Sequence, residues 1–143
     1  MAQSKKLTEK QLDAFLRENR HGILSFQGKT PYALPMGYMY KRKSLLLGMF
    51  PRGRKMKYLK ENSTVCYTIC KPRWQTEGLK VPCTSVVIEG VLEEVTNRSY
   101  YGLKGTIPEG LKLYKIKAKQ TGTWRCNRKP CELFVKKEDK VKK

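Results

Sequence analysis

Leu45-Leu46-Leu47-Gly48-Met49-Phe50-Pro51-Arg52-Gly53-Arg54-Lys55-Met56 is the stretch whose reading decides the fold. Its apolar first half is long enough for one buried strand, and it breaks at a turn punctuated by proline and glycine. The turn carries Arg52, Arg54 and Lys55 and opens into a segment that can be helical, Arg54 to Glu61. A strand, a basic glycine turn and a helix start together suit a phosphate group. Orphan backbone N–H groups and the positive end of the helix dipole then face one point. Arg54 adds a planar fork of donors and Lys55 a point charge. A surface turn with solvated charges is the competing reading, because Lys and Arg are abundant throughout this chain.

Upstream of that stretch, Leu7-Thr8-Glu9-Lys10-Gln11-Leu12 is a helix start. Thr8 caps, Gln11 reaches back to it, and Leu7 and Leu12 fall at the staple positions. Leu12, Phe15 and Leu16 then share one apolar face, and the helix is expected to stop near Arg20–Gly22. His21 there has two readings, a cap on the helix C-terminus or a place beside a ligand. Gly22 to Gln27 reads as a strand, Gly28-Lys29 as its turn, Pro31 to Tyr40 as a second strand, and Ser44 to Phe50 as the third. Two short connections in succession predict an antiparallel meander. Pro35 places the second strand at a sheet edge, a bulge or a rim that faces a ligand.

Downstream, Met56 and Leu59 share a face of the short helix. Ser63 to Lys71 alternates as a strand, with Val65, Tyr67 and Ile69 on one side and Cys66, Thr68 and Cys70 on the other. Pro72 to Val81 is a polar loop containing Trp74 and Gly78. Cys83 to Val95 is a long strand in which Gly90 marks a bulge. Asn97 is a candidate cap for a short helix through Tyr100, Tyr101 and Leu103. Leu111 to Lys119 alternates, with Tyr114, Ile116 and Ala118 inward and Lys115, Lys117 and Lys119 outward. Leu133-Phe134-Val135 is a candidate last strand. The sum is a mainly β fold of about six antiparallel strands with short helices, a small barrel.

At 143 residues with 39% hydrophobic residues, one domain spanning 1–135 is expected, followed by a basic, solvated tail over 136–143. No window approaches a membrane span and the N-terminus lacks an apolar signal core, so a soluble cytoplasmic protein is expected. Five cysteines without an export signal read as reduced thiols, and no metal site is expected. The net charge of +19, from 31 Lys+Arg against 12 Asp+Glu, attracts polyanions. The cations are spread along the chain rather than gathered on one helix, so charge argues only weakly for nucleic acid.

The order of the pieces resembles a known family. His21-Gly22-Ile23-Leu24-Ser25-Phe26, Pro31-Tyr32-Ala33-Leu34-Pro35-Met36, Leu47 leading to Pro51-x-Gly53-Arg54-Lys55, Asn62 to Val65 and Ser85-Val86-Val87-Ile88-x-Gly90 carry the likeness. They resemble the FMN-binding split-barrel relatives of pyridoxamine 5′-phosphate oxidase, nearest to the nitroimidazole-resistance branch, over roughly Leu7 to Tyr114. The resemblance implies a six-stranded split barrel that forms a homodimer with two FMN sites at the interface. It implies that Arg54 and Lys55, with Arg52 as helper, hold the FMN phosphate. It further implies that Leu34, Pro35, Met36 and Gly37 offer backbone groups to the isoalloxazine edge, and that Ser85 and Val86 contribute nearby, plausibly from the partner chain. An edge-strand or core role is the competing reading for Pro35, Met36 and Ser85.

Two departures bear on activity. Many of the closest relatives carry a His at the end of the third strand, where this chain has Gly48. The vitamin oxidases use C-terminal Arg and His residues, whereas Gly122 to Cys131 holds no histidine, so vitamin B6 synthesis is not expected. Trp124-Arg125 is read as covering a barrel end rather than flanking the flavin. The leading function is a flavin-dependent oxidoreductase acting on a small acceptor. The alternatives are a non-catalytic flavin, haem or deazaflavin binder and, in third place, a nucleic-acid binder.

Overall fold

The computed structural model describes residues 4–71, 83–103, 105 and 107–126. Thr8 and Gln11 form the capping box that their spacing predicts, and they start helix α1, Glu9–Glu18. Phe15 and Leu16 are its buried residues. At the other end the side-chain amide of Asn19 donates to the Phe15 carbonyl at 2.8 Å. The cap is therefore Asn19, and His21, read as a candidate cap, is the exposed first residue of a strand.

The strands are β1 (Ser4–Lys5), β2 (His21–Phe26), β3 (Tyr32–Gly37), β4 (Met39–Lys41), β5 (Ser44–Met49), β6 (Thr64–Lys71), β7 (Cys83–Glu94) and β8 (Lys112–Cys126). Helix α2 spans Arg54–Glu61, and a 3-10 turn spans Arg98–Tyr101. The sheet runs β3-β2-β6-β7-β8-β5-β4, with β1 added to β8. Among the described residues the main path thus has seven strands where six are expected. The extra one arises because the run Pro31 to Tyr40 is two strands, not one.

Tyr38 makes that division. It is buried, its hydroxyl donates to the Leu16 carbonyl at 2.8 Å, and its backbone N–H donates to the Arg20 carbonyl at 2.8 Å. The first bond satisfies a last-turn carbonyl of α1 and the second a carbonyl just past its cap, so the chain leaves the ladder with β2 at this residue and enters the ladder with β5. β3 and β4 are the two ends of the sheet path, yet one residue joins them. The sheet therefore curls back on itself as an antiparallel split barrel.

Leu24, Tyr67, Ile69, Val65 and Val86 fill the interior with essentially no exposure. Burial of such side chains is worth roughly 1.5–3 kcal/mol each. A second cluster of Leu46, Val95, Leu103 and Leu113 lies on the other side of β5 and β8. Tyr114, Ile116 and Ala118 share the inner face as their alternation predicts, and Ala118 is exposed because it lines the open cleft beneath α1. The register between β7 and β8 shifts at Glu89/Gly90, where a bulge is expected. The inserted residue is Lys119 of β8, opposite that step, and the alternation of β8 changes face beyond it. β8 also continues to Cys126, so Trp124 and Arg125, read as a cover over a barrel end, are part of its wall. Asn97 does not cap through its side chain, which instead accepts from the Ser99 hydroxyl at 3.1 Å.

The outward face of five strands carries one continuous row, Pro35, Ile23, Thr68, Val87 and Gly122, each paired directly with the next. Neither this row nor those beside it, Ala33-Ser25-Cys66-Glu89-Gln120 and Cys70-Ser85-Trp124, contains a Lys or Arg. In a chain of net charge +19, that is a distinct surface. No helix among the described residues is long and apolar enough to cross a membrane. The loop Pro72 to Val81, Cys131, the strand expected at Leu133-Phe134-Val135 and the basic tail lie outside the described residues.

Candidate functional site

Gly53 heads α2 with φ +88°, a left-handed conformation that glycine adopts without steric cost. Among the described residues no side chain caps the helix at Gly53. The first-turn N–H groups have no partner inside the helix, as in any α-helix. Three cations stand around this turn. The Lys55 ammonium donates to the Arg52 carbonyl at 2.9 Å, and the Arg52 guanidinium lies 5.2 Å over the Phe50 ring.

Arg54 is turned toward β3. Its guanidinium lies 4.6 Å over the Tyr32 ring and 5.7 Å from the Tyr58 ring centroid. It also donates to the Thr30 hydroxyl at 3.5 Å and to the Tyr58 hydroxyl at 3.4 Å. Tyr58 and Thr30 share a hydroxyl hydrogen bond of 2.6 Å. Phe26, Tyr32 and Tyr58 stack behind them, with centroids 5.3 Å apart for Phe26–Tyr32 and 5.0 Å for Tyr32–Tyr58. Gly28 makes room for this wall, since a Cβ there would sit 2.4 Å from the Tyr58 ring. Thr30, Tyr32 and Tyr58 were not singled out from the sequence. The spacing of Arg54 and Tyr58, four residues apart on a helix, is the signal that finds Tyr58, while Thr30 and Tyr32 are distant in sequence and carry no such signal.

From Tyr32 the open edge of β3 leads away from this basic turn. Among the described residues β3 pairs with β2 on one side only, so it tolerates Pro35, which has no N–H to give to a ladder. Ala33, Pro35 and Gly37 face outward, while Leu34 and Met36 pack against the core. The Met36 carbonyl accepts from the Tyr67 hydroxyl, which fixes the strand from the inside. The structure therefore brings Arg54 to the head of the segment Leu34 to Gly37, with Arg52 and Lys55 in the same turn.

Ser85 and Val86 are not brought to that turn within one chain. Ser85 pairs with Cys70 and Trp124, three strands across from β3, and faces outward. Val86 is fully buried in the core and pairs on both sides, with Ile69 and Thr123. Gly48 has a packing reason to be glycine, because a Cβ there would lie 2.8 Å from Leu111 Cδ2.

A separate cleft of about 770 Å³ lies between α1 and the barrel, and none of the sequence-predicted residues lines it. Leu12, Leu16, Leu45, Ile88 and Ile116 form its apolar part. On its rim the Tyr40 hydroxyl donates to Asp13 at 2.8 Å, and Asp13 also pairs with Arg17 at 2.8 Å. The bonds from Arg17 and Tyr40 hold the Asp13 carboxyl below its ordinary range.

The tyrosines divide by environment. The Thr30 hydrogen bond and Arg54 lower the Tyr58 phenol below its ordinary value, whereas burial raises Tyr38 and Tyr67 and pushes Tyr40 up to about 12. A raised phenol stabilises the fold below the unfolded value of about 10, and the contribution is lost as pH rises through the folded value. The expected alkaline titration is an early phenolate signal from Tyr58, then loss of structure above about pH 10 as the buried phenols ionise. Absorbance and circular dichroism followed together check it. Arg54→Ala should move the early signal upward, and an unmoved signal would remove Arg54 as its cause.

Among proteins of curated function, none matches the chain. A FAD-binding protein from Mesorhizobium loti is similar in structure, with TM-score 0.66 and 19% identity over 86% of this chain and 98% of that one. A candidate 5-nitroimidazole antibiotic resistance protein from Bacteroides thetaiotaomicron gives TM-score 0.66 at 16% identity, covering 88% and 89%. A heme binding protein from Mycobacterium smegmatis gives TM-score 0.58 at 14% identity, covering 76% and 51%. At such identities the likeness is one of fold. The family model for pyridoxamine 5′-phosphate oxidase matches residues 8–100, which include α1, the basic turn and the β3 edge. The chain belongs to the pyridoxamine 5′-phosphate oxidase family.

Proposed function

We propose that this protein binds FMN and works as a flavin-dependent oxidoreductase on a small acceptor, as a homodimer with the cofactor at the interface. The observation that carries the reading is the stacking of Arg54 on Tyr32. It sets a basic, glycine-headed helix start at one end of an open strand edge. A cofactor with a phosphate at one end and a flat, hydrogen-bonding ring at the other matches that order of chemistry. The donor set fits the group: Arg52, Arg54 and Lys55 are cations suited to a dianionic phosphate, and Gly53 lets the backbone approach it closely. The similar FAD-binding fold from Mesorhizobium loti supports a flavin in general.

When bound, FMN supplies hydride and electron transfer at its ring. The chain's own part is to bind and orient. Arg54 and Lys55 neutralise the phosphate, and the unpaired backbone groups of β3 at Leu34 to Gly37 set the ring edge. Tyr67, bonded to the Met36 carbonyl, keeps that strand from shifting.

A single chain leaves the β3 edge open, and Ser85 stands three strands away from it. A second chain supplies the missing wall. The outward rows through Pro35, Ile23, Thr68, Val87 and Gly122 lack Lys and Arg, so two copies of a +19 chain meet there with the least repulsion. The test is an absorption spectrum of the purified protein before and after FMN addition, with mass read by light scattering. Flavin bands on a dimer are expected. A colourless monomer that ignores FMN overturns the proposal, and a Soret band instead reassigns the cofactor to haem.

A further inference from the structure

Four of the five cysteines are among the described residues, and all four lie on the outward face of β6, β7 and β8. Two of them, Cys83 and Cys126, are direct partners in the β7–β8 register. Directly opposed residues on antiparallel strands have Cα atoms about 4.5–5.5 Å apart. A disulfide needs Cα atoms about 4.4–6.8 Å apart, so the backbone register places these two residues at a separation that a disulfide can bridge. Both are half-buried, and they sit at the strand ends where β1 joins β8 through the Ser4–Cys126 pairing. Their place is the corner of the face whose rows lack Lys and Arg, away from the basic turn of α2.

We propose that Cys83 and Cys126 are a redox-active pair that closes to a cross-strand disulfide by exchange with a low-molecular-weight disulfide. One thiolate attacks a sulfur of that reagent, forming a mixed disulfide and releasing one reagent thiolate. The second cysteine, as its thiolate, attacks the protein sulfur of the mixed disulfide, closing the Cys83–Cys126 bond and releasing the other reagent thiolate. Two protein thiols are oxidised and one external disulfide is reduced to two thiols. The neighbouring thiols compete less well. Cys70 lies opposite Ser85 rather than opposite a cysteine, and both burial and the nearby Cys83 raise its thiol above the ordinary value, which leaves less thiolate for attack. Cys66 pairs with Ser25 and Glu89, further along the sheet. The inference does not depend on flavin binding.

The test uses the full chain, fully reduced, then exposed to oxidised glutathione and quenched with an alkylating agent. Trypsin separates the candidates, since Cys83 lies in peptide 81–98, Cys126 in 126–128, Cys66 and Cys70 together in 61–73, and Cys131 in 129–136. The expected result is a loss of about 2 Da in the intact chain, two hydrogens, with peptides 81–98 and 126–128 joined as the dominant link. Cys126→Ser should abolish the link, and Cys66→Ser should leave it intact. A dominant Cys126–Cys131 or Cys70–Cys83 link, or separate glutathione adducts on Cys83 and Cys126, would overturn the proposal. These readouts require no folded variant, because the unaltered chain carries the decisive map.

Discussion

Replacing Arg54 and Lys55 together by alanine is expected to weaken FMN binding by about 3 kcal/mol, roughly a hundredfold in dissociation constant. The effect is large because each cation offers a charge-assisted bond to one phosphate, and such bonds are worth about 1.5–3 kcal/mol each. The structure also predicts what should not change. Arg54 is exposed and its partners Thr30 and Tyr58 stay bonded to each other, so the fold should lose at most about 1 kcal/mol. Flavin fluorescence titration of the wild type and the double variant measures the first effect, and urea unfolding measures the second. Equal FMN affinity in both proteins would remove the basic turn from the site. A smaller dimer fraction in the variant would itself support a cofactor held between two chains.

Gly90→Ala is expected to have the largest effect on stability of any substitution that adds a single methyl group. A Cβ at Gly90 would lie 2.2 Å from the Lys117 carbonyl oxygen and 2.9 Å from the Lys117 carbonyl carbon. Those atoms belong to the partner strand's backbone and cannot turn aside as a side-chain tip can. The bulge between β7 and β8 must open or shift, at a cost of about 3 kcal/mol. Gly122→Ala, in the same pair of strands, is the control. Its Cβ would meet nothing nearer than the Val87 carbonyl at 4.0 Å. Denaturation midpoints for the two variants should therefore separate clearly, and a wild-type midpoint for Gly90→Ala would mean that the bulge is not closed as described.

What the sequence discloses follows the range of the interaction. Thr8 with Gln11 and the helix from Arg54 are local signals, and each is read correctly because the partner is a few residues away. Gly90 marks the register shift, although the inserted residue, Lys119, is on β8. The break at Tyr38 is not local. It depends on carbonyls of Leu16 and Arg20 in another element, and nothing in Ala33-Leu34-Pro35-Met36-Gly37-Tyr38 announces them. The β4–β5 connection is read in the right place, as a turn at Lys41-Arg42-Lys43, but its backbone geometry is not announced. Arg42 and Lys43 both take positive φ, 48° and 60°, without the glycine or asparagine that usually marks such a turn. In the site, Arg54 is legible as a cation, but the ring that it stacks on is in β3. Ser85 and Val86 look alike as neighbours in sequence, yet strand alternation sends one outward and the other into the core.

The pairing of β5 with β8 has a consequence for the order in which the chain acquires structure. Leu46 and Leu47 find Lys115 and Tyr114 as partners, nearly seventy residues later in the chain. The Leu7 N–H bonds the Thr123 hydroxyl across 116 positions. Contacts of such separation must close long loops before they gain anything, and they place a protein among slow folders, in the millisecond-to-second range. During synthesis at about 5–20 residues per second, β5 stands for several seconds as an apolar strand without its β8 neighbour. The Leu45 to Met49 segment is thus the part of the chain most exposed to misassociation while the protein is being made, and the charges that flank it, Lys41 to Lys43 and Arg52 to Lys55, act as gatekeepers against it.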